Sequence, residues 1–221
     1  MKVNERLTYR KRSLIPLARI ATAGASILLL MLASMSAEAS EEGGLFIEPS
    51  ATYETSTSSI NYPSPLSDSS GKVEGFGVGA RVGLHLQQAL FIGIDGRYSM
   101  PKFTDSSTNS ASNAKAWNWG PVLGLQMPDA GLRLWGGYVA GGELDPESSG
   151  SFDAKFANQT GYRLGVGFHV ASVSLNLEYQ DTKFGTTTVE QFGPFTPGTV
   201  FNDVNLKNKS WIASVSMPLE L

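Results

Sequence analysis

The stretch Phe76-Gly77-Val78-Gly79-Ala80-Arg81-Val82-Gly83-Leu84-His85-Leu86 carries an apolar side chain at every second position. Successive side chains of a β-strand point to opposite faces, so this period of two predicts a strand with one apolar face and one mixed face. Similar alternation recurs eight times after Ser40. The sequence therefore predicts an all-β fold.

Tight turns and long polar segments alternate strictly along the chain. An up-and-down barrel collects its short turns at one end and its long loops at the other, so this order predicts eight antiparallel strands closed into a barrel. The predicted strands are Leu45–Glu54, Val73–Leu86, Leu90–Met100, Lys115–Met127, Leu132–Glu143, Asn158–Val170, Val173–Lys183 and Lys207–Leu219. The predicted long loops are Thr55–Lys72, Pro101–Ala114, Leu144–Ala157 and Phe184–Leu206.

Two features could modify this strand pattern. Phe184–Leu206 is long enough for a further hairpin or, as the weaker alternative, for two more wall strands. A proline removes a hydrogen-bond donor from the ladder, so a bulge or a shifted boundary is expected near Pro49, Pro121 and Pro218.

Residues 1–39 are predicted to be a cleaved secretory signal peptide, and residues 40–221 the barrel domain. A basic segment to Arg19, an apolar stretch from Ile20 to about Ala33 and the small-x-small sequence Ala37-Glu38-Ala39 are typical of such a leader. A retained anchor helix is the alternative, but the apolar stretch is shorter than the roughly 20 residues that span a membrane.

The composition excludes several classes of function. Without the leader the chain keeps 11 basic and 18 acidic residues, a formal charge of −7 that argues against nucleic acid as a partner. The chain has no cysteine, which excludes disulfides, thiol catalysis and Cys-type zinc sites.

The positions of the basic and aromatic residues predict which face of the barrel is outside. All four arginines after residue 40 lie on the polar face of a strand, which suits a crowded, hydrogen-bonded interior. The lysines lie in loops or at strand ends near the loops. Every strand carries an aromatic residue on its apolar face toward the long-loop end, as expected at a membrane–water boundary. These residues are Tyr53, Phe76, Tyr98, Trp117, Trp119, Tyr138, Tyr162, Tyr179 and Trp211.

With these features and the alternating run from Trp211 to Leu221, residues 40–221 resemble the eight-stranded outer-membrane barrels: OmpX-like proteins, the OmpA transmembrane domain and opacity-type surface antigens. That family usually ends in Phe, whereas this chain ends in Leu221. The resemblance implies a location in the outer membrane of a Gram-negative cell, with short periplasmic turns and extracellular loops. It also implies that outer-membrane lipids, lipopolysaccharide and the barrel-assembly machinery are partners. A soluble lipocalin-like barrel is the alternative fold.

The hairpin geometry predicts how the interior is neutralised. If Leu86 faces Leu90, then Arg81 falls opposite Asp95, and a similar register puts Arg163 diagonal to Glu178. Gln126 would face Arg133, and Gly124 would make room for an inward Trp135. The predicted polar core consists of Arg81, Asp95, Arg97, Arg133, Arg163 and Glu178, with Glu48 as a further member.

The sequence offers little catalytic chemistry. His85 and His169 both precede tight turns, which places them at the periplasmic end, away from outer-leaflet lipid. They could form a polar plug there or never meet. No catalytic residue, cofactor site or metal site is therefore predicted. Glu143, Asp145, Glu147 and Asp153 make one loop acidic, and a solvated loop is favoured over a cation site because no regular ligand spacing appears.

Three functional hypotheses remain. The first is a non-enzymatic surface protein whose loops contact a ligand or another envelope component. The second is a narrow channel for small solutes, although eight strands leave an interior that side chains can fill. The third and weakest is an enzyme that modifies lipid A.

Overall fold

The structure, a computed structural model, describes residues 44–61, 68–86, 89–106, 110–127, 129–147, 152–192, 198–201 and 205–221. The predicted leader lies outside these residues. In the described ranges, no helix is long and apolar enough to cross a membrane. The strands are β1 Leu45–Asn61, β2 Ser69–Leu86, β3 Leu90–Ser99, β4 Lys102–Asp105, β5 Ser110–Met127, β6 Leu132–Val139, β7 Gly141–Pro146, β8 Phe152–Val170, β9 Val173–Phe192, β10 Thr199–Phe201, β11 Asn205–Ser216 and β12 Leu219–Glu220.

These strands close into a barrel with eight strand positions around its circumference. Each position, here called a wall, is one long strand or a long strand continued by a short one. The order β1–β2–β3–β5–β6–β8–β9–β11 returns to β1, and every pairing is antiparallel. The short strands β4, β7 and β12 continue the walls of β3, β6 and β11. The predicted antiparallel up-and-down barrel is confirmed.

The strand registers also agree with the prediction. Leu86 faces Leu90 and Arg81 faces Asp95 between β2 and β3. Gln126 faces Arg133 between β5 and β6. Hairpin registers are predictable because a tight turn fixes the pairing, and a slip of one residue would exchange the two faces of a strand.

The walls are longer than predicted at the long-loop end. Strand β1 reaches Asn61 and β9 reaches Phe192, so the connections between walls are shorter than the long loops expected from the sequence. The sequence prediction ended these strands too early because the alternation continues with polar residues outside, such as Thr57 and Ser59. Strand β10 pairs with β9 from Thr187 to Val189, so the last long segment forms a further hairpin instead of two more wall strands.

The three prolines have different effects. Pro218 lies in the break between β11 and β12, as expected for a shifted boundary. Near Pro121, the partner of β5 changes from β6 to β7. Pro49 pairs with Ala80 without interrupting β1, so the expected irregularity is absent from the β1–β2 pairing.

The predicted aromatic residues form a belt around the outside of the barrel, here called the aromatic girdle. Eight of the nine are exposed, and Tyr179 is half-buried beside Trp211, with 5.2 Å between the ring centroids. Below the girdle the outward residues are apolar, among them Ile94, Leu123 and Leu175. This is the wall expected against the hydrocarbon of a membrane.

Glycines on the inward face make room for the large side chains inside the barrel. Gly165 lies against the indole of Trp135, and a Cβ there would overlap the ring. A Cβ at Gly124 would overlap the ring of Phe91 instead. The prediction that Gly124 makes space for Trp135 was therefore wrong in its pairing, because the bulky ring reaches across to the wall of β8.

Replacing Gly165 with alanine should therefore destabilise the barrel. The added methyl group displaces Trp135, so we expect Gly165→Ala to lower the free energy of unfolding by about 1–3 kcal/mol. Gly96→Ala is the matched control, because a Cβ at Gly96 has no atom within 4 Å. Urea unfolding in phospholipid vesicles, followed by tryptophan fluorescence, measures both. Equal effects of the two substitutions would contradict the packing argument.

Candidate functional site

Glu48 anchors one half of a buried ion-pair network. Its carboxylate accepts hydrogen bonds from Arg133 Nη1 at 2.7 Å and Nη2 at 3.0 Å, and from Arg81 Nη1 at 3.3 Å. The hydroxyl of Ser216 donates a further bond at 2.6 Å. The three charged side chains are buried in the barrel. Their charges are tolerated there because each is paired and hydrogen-bonded.

Asp95 links this half of the network to a second one. Its carboxylate lies 3.1 Å from Arg81 Nη2, 3.1 Å from Arg97 Nε and 2.5 Å from Arg163 Nη1. Arg97 also makes a bidentate contact with Glu178, at 2.6 and 2.9 Å. Residues from six walls are thus joined through three carboxylates and four arginines.

The structure brings all seven predicted core residues into this network, but one pairing differs. Arg163 is diagonal to Glu178 in the register, as predicted. Its guanidinium instead binds Asp95 and the side-chain oxygen of Asn118, at 3.0 Å. Glu178 accepts its remaining bond from Trp135 Nε1 at 2.8 Å.

Glu54 is a member of the polar interior that the sequence reasoning missed. It accepts a hydrogen bond from Asn208 Nδ2 at 3.4 Å, and it lines a small cavity of about 30 Å³ together with Arg97. Four arginines then share the interior with four carboxylates, from Glu48, Glu54, Asp95 and Glu178. Residues 48 and 54 are an even number of positions apart on β1, so their side chains lie on the same face of the strand. This spacing could have identified Glu54 as an interior residue.

An aromatic layer lies beneath the network, at the short-turn end. Phe91 has the guanidinium carbons of Arg81 and Arg133 at 5.6 and 5.0 Å from its ring centroid. Trp135 has Arg81 at 5.0 Å. Phe46 packs against Phe91 with 5.9 Å between centroids. Each of these aromatic rings attracts the neighbouring guanidinium by a cation–π interaction, which is stronger at a buried site where few water molecules compete.

A third layer closes the long-loop end of the barrel and is here called the apolar plug. Its buried members are Ile60, Val73, Ala114, Leu144, Phe156, Phe184 and Leu206, and Phe103, Ala116 and Phe201 pack against them. Every wall of the ring supplies at least one of these inward side chains. The sequence reasoning missed this layer because all its members except Val73 and Ala116 fell in segments predicted to be loops.

The comparison with known families decides the identity of this barrel. Residues 25–217 match the family model of the outer membrane protein beta-barrel domain. The chain belongs to that family. It is therefore an outer-membrane barrel, with short periplasmic turns and extracellular loops.

Several solved structures are similar to this chain at low sequence identity. Neisserial surface protein A (NspA) is 16% identical, with a TM-score of 0.45, and the match covers 80% of this chain and 99% of that one. The outer membrane protein OprG from Pseudomonas aeruginosa is 11% identical (TM-score 0.47; 80% and 97% covered). The outer membrane protease OmpT from Escherichia coli is also 11% identical (TM-score 0.40; 85% and 100% covered). A search of curated proteins found no significant match.

The two histidines lie at the periplasmic end, as predicted. His85 stacks on Phe46 with 4.5 Å between centroids, and its Nδ1 lies 3.2 Å from Glu220. Nδ1 of His169 lies 3.0 Å from the hydroxyl of Ser174. His169 and Glu220 line one cleft of about 160 Å³, but no contact joins the two histidines among the described residues. Each histidine is therefore bonded to a different partner.

Acidic side chains converge at the extracellular rim. Carboxylate oxygens of Asp145, Asp153 and Glu190 lie within 4.8 Å of one another and could hold a cation. Lys155 lies beside them and binds Glu143 at 2.9 Å, a hydrogen bond that raises the pKa of the lysine. The cluster is half-buried to exposed, and Lys155 supplies part of its counter-charge. Glu190 was not among the acids that the sequence singled out.

Removing one carboxylate from the network should be costly. Asp95→Asn leaves three arginines with one negative charge fewer, so we expect a loss of about 3–5 kcal/mol in the free energy of unfolding. Glu74→Gln is the control, because Glu74 pairs with Lys72 on the exposed surface and its loss should cost less than about 1 kcal/mol. Urea unfolding in vesicles compares the two. If Asp95→Asn were as mild as the control, the network would not be a main source of stability.

Proposed function

We propose that this protein is a non-enzymatic outer-membrane surface protein, a sealed barrel whose extracellular part makes the functional contacts. The observation that carries this proposal is the filled interior. From the periplasm outward, the aromatic layer, the ion-pair network and the apolar plug follow one another. Each layer draws side chains from several walls, so the described side chains support the barrel and fill its interior.

The filled interior argues against the alternative of a narrow channel. The cavity above the network measures about 30 Å³ and the one within it about 20 Å³, each roughly the space of one water molecule. A cleft of about 160 Å³ lies at the periplasmic end, below the network. A solute would have to break buried ion pairs and then cross an apolar plug.

Planar-bilayer recording tests the sealed barrel directly. The purified protein should show no stable conductance step above the leak. Phe156→Ala/Phe184→Ala, which removes two rings from the apolar plug, should also stay closed because the ion-pair network beneath remains intact. A reproducible step from the unaltered protein would favour the channel.

The positions of the histidines argue against an enzyme that acts on outer-leaflet lipid. A general base must lie within hydrogen-bond reach of its substrate. His85 and His169 lie nine and seven residues from the girdle aromatics of their own strands, on the periplasmic side, and His85 is 8% exposed. Stacking on Phe46 and bonding to Glu220 give His85 a structural role.

Replacement of both histidines tests the enzyme alternative. The mass spectrum of lipid A from cells that produce His85→Ala/His169→Ala should match the spectrum from cells with the unaltered protein. Vector-only cells provide the baseline. A lipid A species that appears only with the unaltered protein would support an enzyme instead.

The extracellular contacts are expected on the part of the barrel above the girdle. There the walls continue as strands, so binding groups are held on rigid elements as well as on loops. Outward positions in this part are polar, for example Thr57, Ser59 and Thr104, in contrast to the apolar outward residues below. This surface, together with the loops, is where we propose that a ligand or an envelope partner binds.

A further inference from the structure

The lysines of the barrel domain form a belt just above the aromatic girdle. Six of the seven lie two to four residues beyond a girdle aromatic on the same wall and on the same outward face. The seven lysines are Lys72, Lys102, Lys115, Lys155, Lys183, Lys207 and Lys209. All are exposed except Lys155, which is half-buried. The interior cations, by contrast, are all arginines.

The belt is densest where β9 and β11 pair. Lys183 and Lys207 are direct cross-strand partners, and both are exposed. Lys209 follows two residues along the same face of β11. Its ammonium is 3.8 Å from Asp181, with 64% of the lysine side chain exposed.

The opposed lysines have no acid of their own, because Asp181 on the same face lies 3.8 Å from Lys209. Side chains directly opposite each other on one face have Cβ atoms about 4.5–5.5 Å apart, and like charges there are destabilising. Neither Lys183 nor Lys207 forms an ion pair with another described residue. The flanking positions in the same row are Ser59 beside Lys207 and Thr160 beside Lys183, which add hydroxyl groups and no acid.

The height of these lysines matches that of lipid headgroups. Lys183 lies four residues beyond Tyr179, and Lys207 four residues beyond Trp211. With about 3.3 Å per residue and a strand tilt near 40°, this places them about 10 Å above the girdle. The girdle itself lies at the boundary between hydrocarbon and water. The lysines therefore face sideways into the headgroup layer of the outer leaflet.

We propose that Lys183, Lys207 and Lys209 form a binding site for the phosphate groups of lipid A in the outer leaflet. The acyl chains would lie against the apolar wall below the girdle, and the phosphate would bridge the two opposed ammonium groups. The charge complementarity and the continuity with the lipid-facing wall both favour a lipid over a soluble anion. The site lies on the outer wall, so it is independent of whether the interior is sealed.

The test compares two double variants with equal changes in charge. Lys183→Gln/Lys207→Gln removes the opposed pair. Lys102→Gln/Lys115→Gln removes two exposed lysines from β4 and β5, which pair with neither β9 nor β11 and where the two lysines are not cross-strand partners. The folded proteins in neutral detergent are titrated with lipid A, with enzymatically dephosphorylated lipid A and with inorganic phosphate. Binding is followed by native mass spectrometry.

At about 1 kcal/mol for each lysine near an anionic surface, the first variant should bind lipid A on the order of 10- to 30-fold more weakly. The control should lose no more than about threefold. Dephosphorylated lipid A should bind the unaltered protein about as weakly as lipid A binds the first variant. Inorganic phosphate at millimolar concentration should not displace lipid A.

The direction in which the urea midpoint of unfolding changes provides an independent test. In neutral detergent, removal of the opposed lysines should leave the urea midpoint unchanged or raise it, because a repulsion is lost. Added lipid A should then raise the midpoint of the unaltered protein more than that of the variant, since a ligand stabilises the state that binds it. Equal lipid A binding by both double variants, equal binding of dephosphorylated lipid A, or displacement of lipid A by millimolar inorganic phosphate would each overturn the proposal.

Discussion

A ring of eight strands encloses a space only as wide as its own side chains, and this constraint governs the rest of the structure. The interior has to be filled, and it is filled around four arginines. Each guanidinium needs acceptors: the carboxylate of Glu48 binds two arginines, that of Asp95 binds three and that of Glu178 binds one. Space for these long side chains comes from glycines on the same face, such as Gly137 beside the stem of Arg163. The carboxylates neutralise the arginines and the glycines give them space, so both are needed to fill the interior.

The same alternation of residues serves two different surroundings along each wall. Below the girdle the outside is lipid, so outward positions are apolar and the polar groups are inside. Above the girdle the outside is water, so outward positions are polar and the inward positions are apolar. On β1, for example, Glu48 is buried near the periplasmic end, whereas Ile60 is buried in the apolar plug. A single strand thus combines a membrane segment with a segment that packs like a water-soluble barrel.

This reversal explains how far sequence reasoning could reach. The fold, the hairpin registers and the arginine-centred core were predictable, because tight turns fix pairing and buried charges need partners. The apolar plug was not. Its segments carry Ser, Thr and Asn outside and single apolar residues inside, a pattern that resembles loop composition. The exchange of partners between Arg163 and Glu178 was also beyond the sequence, since it depends on side chains that meet across the barrel.

Sealing the interior moves recognition to the outside of the barrel, where charge is sorted by residue type. Arginine, with a planar group that satisfies several acceptors, is confined to the interior. Lysine, a strongly hydrated point charge on a flexible stem, lies on the outer wall, and six of the seven lysines lie at headgroup height. Acids such as Asp153 and Glu190 cluster farther along the strands, seven or more residues beyond the girdle. A cationic band below an acidic rim would hold anionic lipid beside the barrel and leave the rim to face the medium.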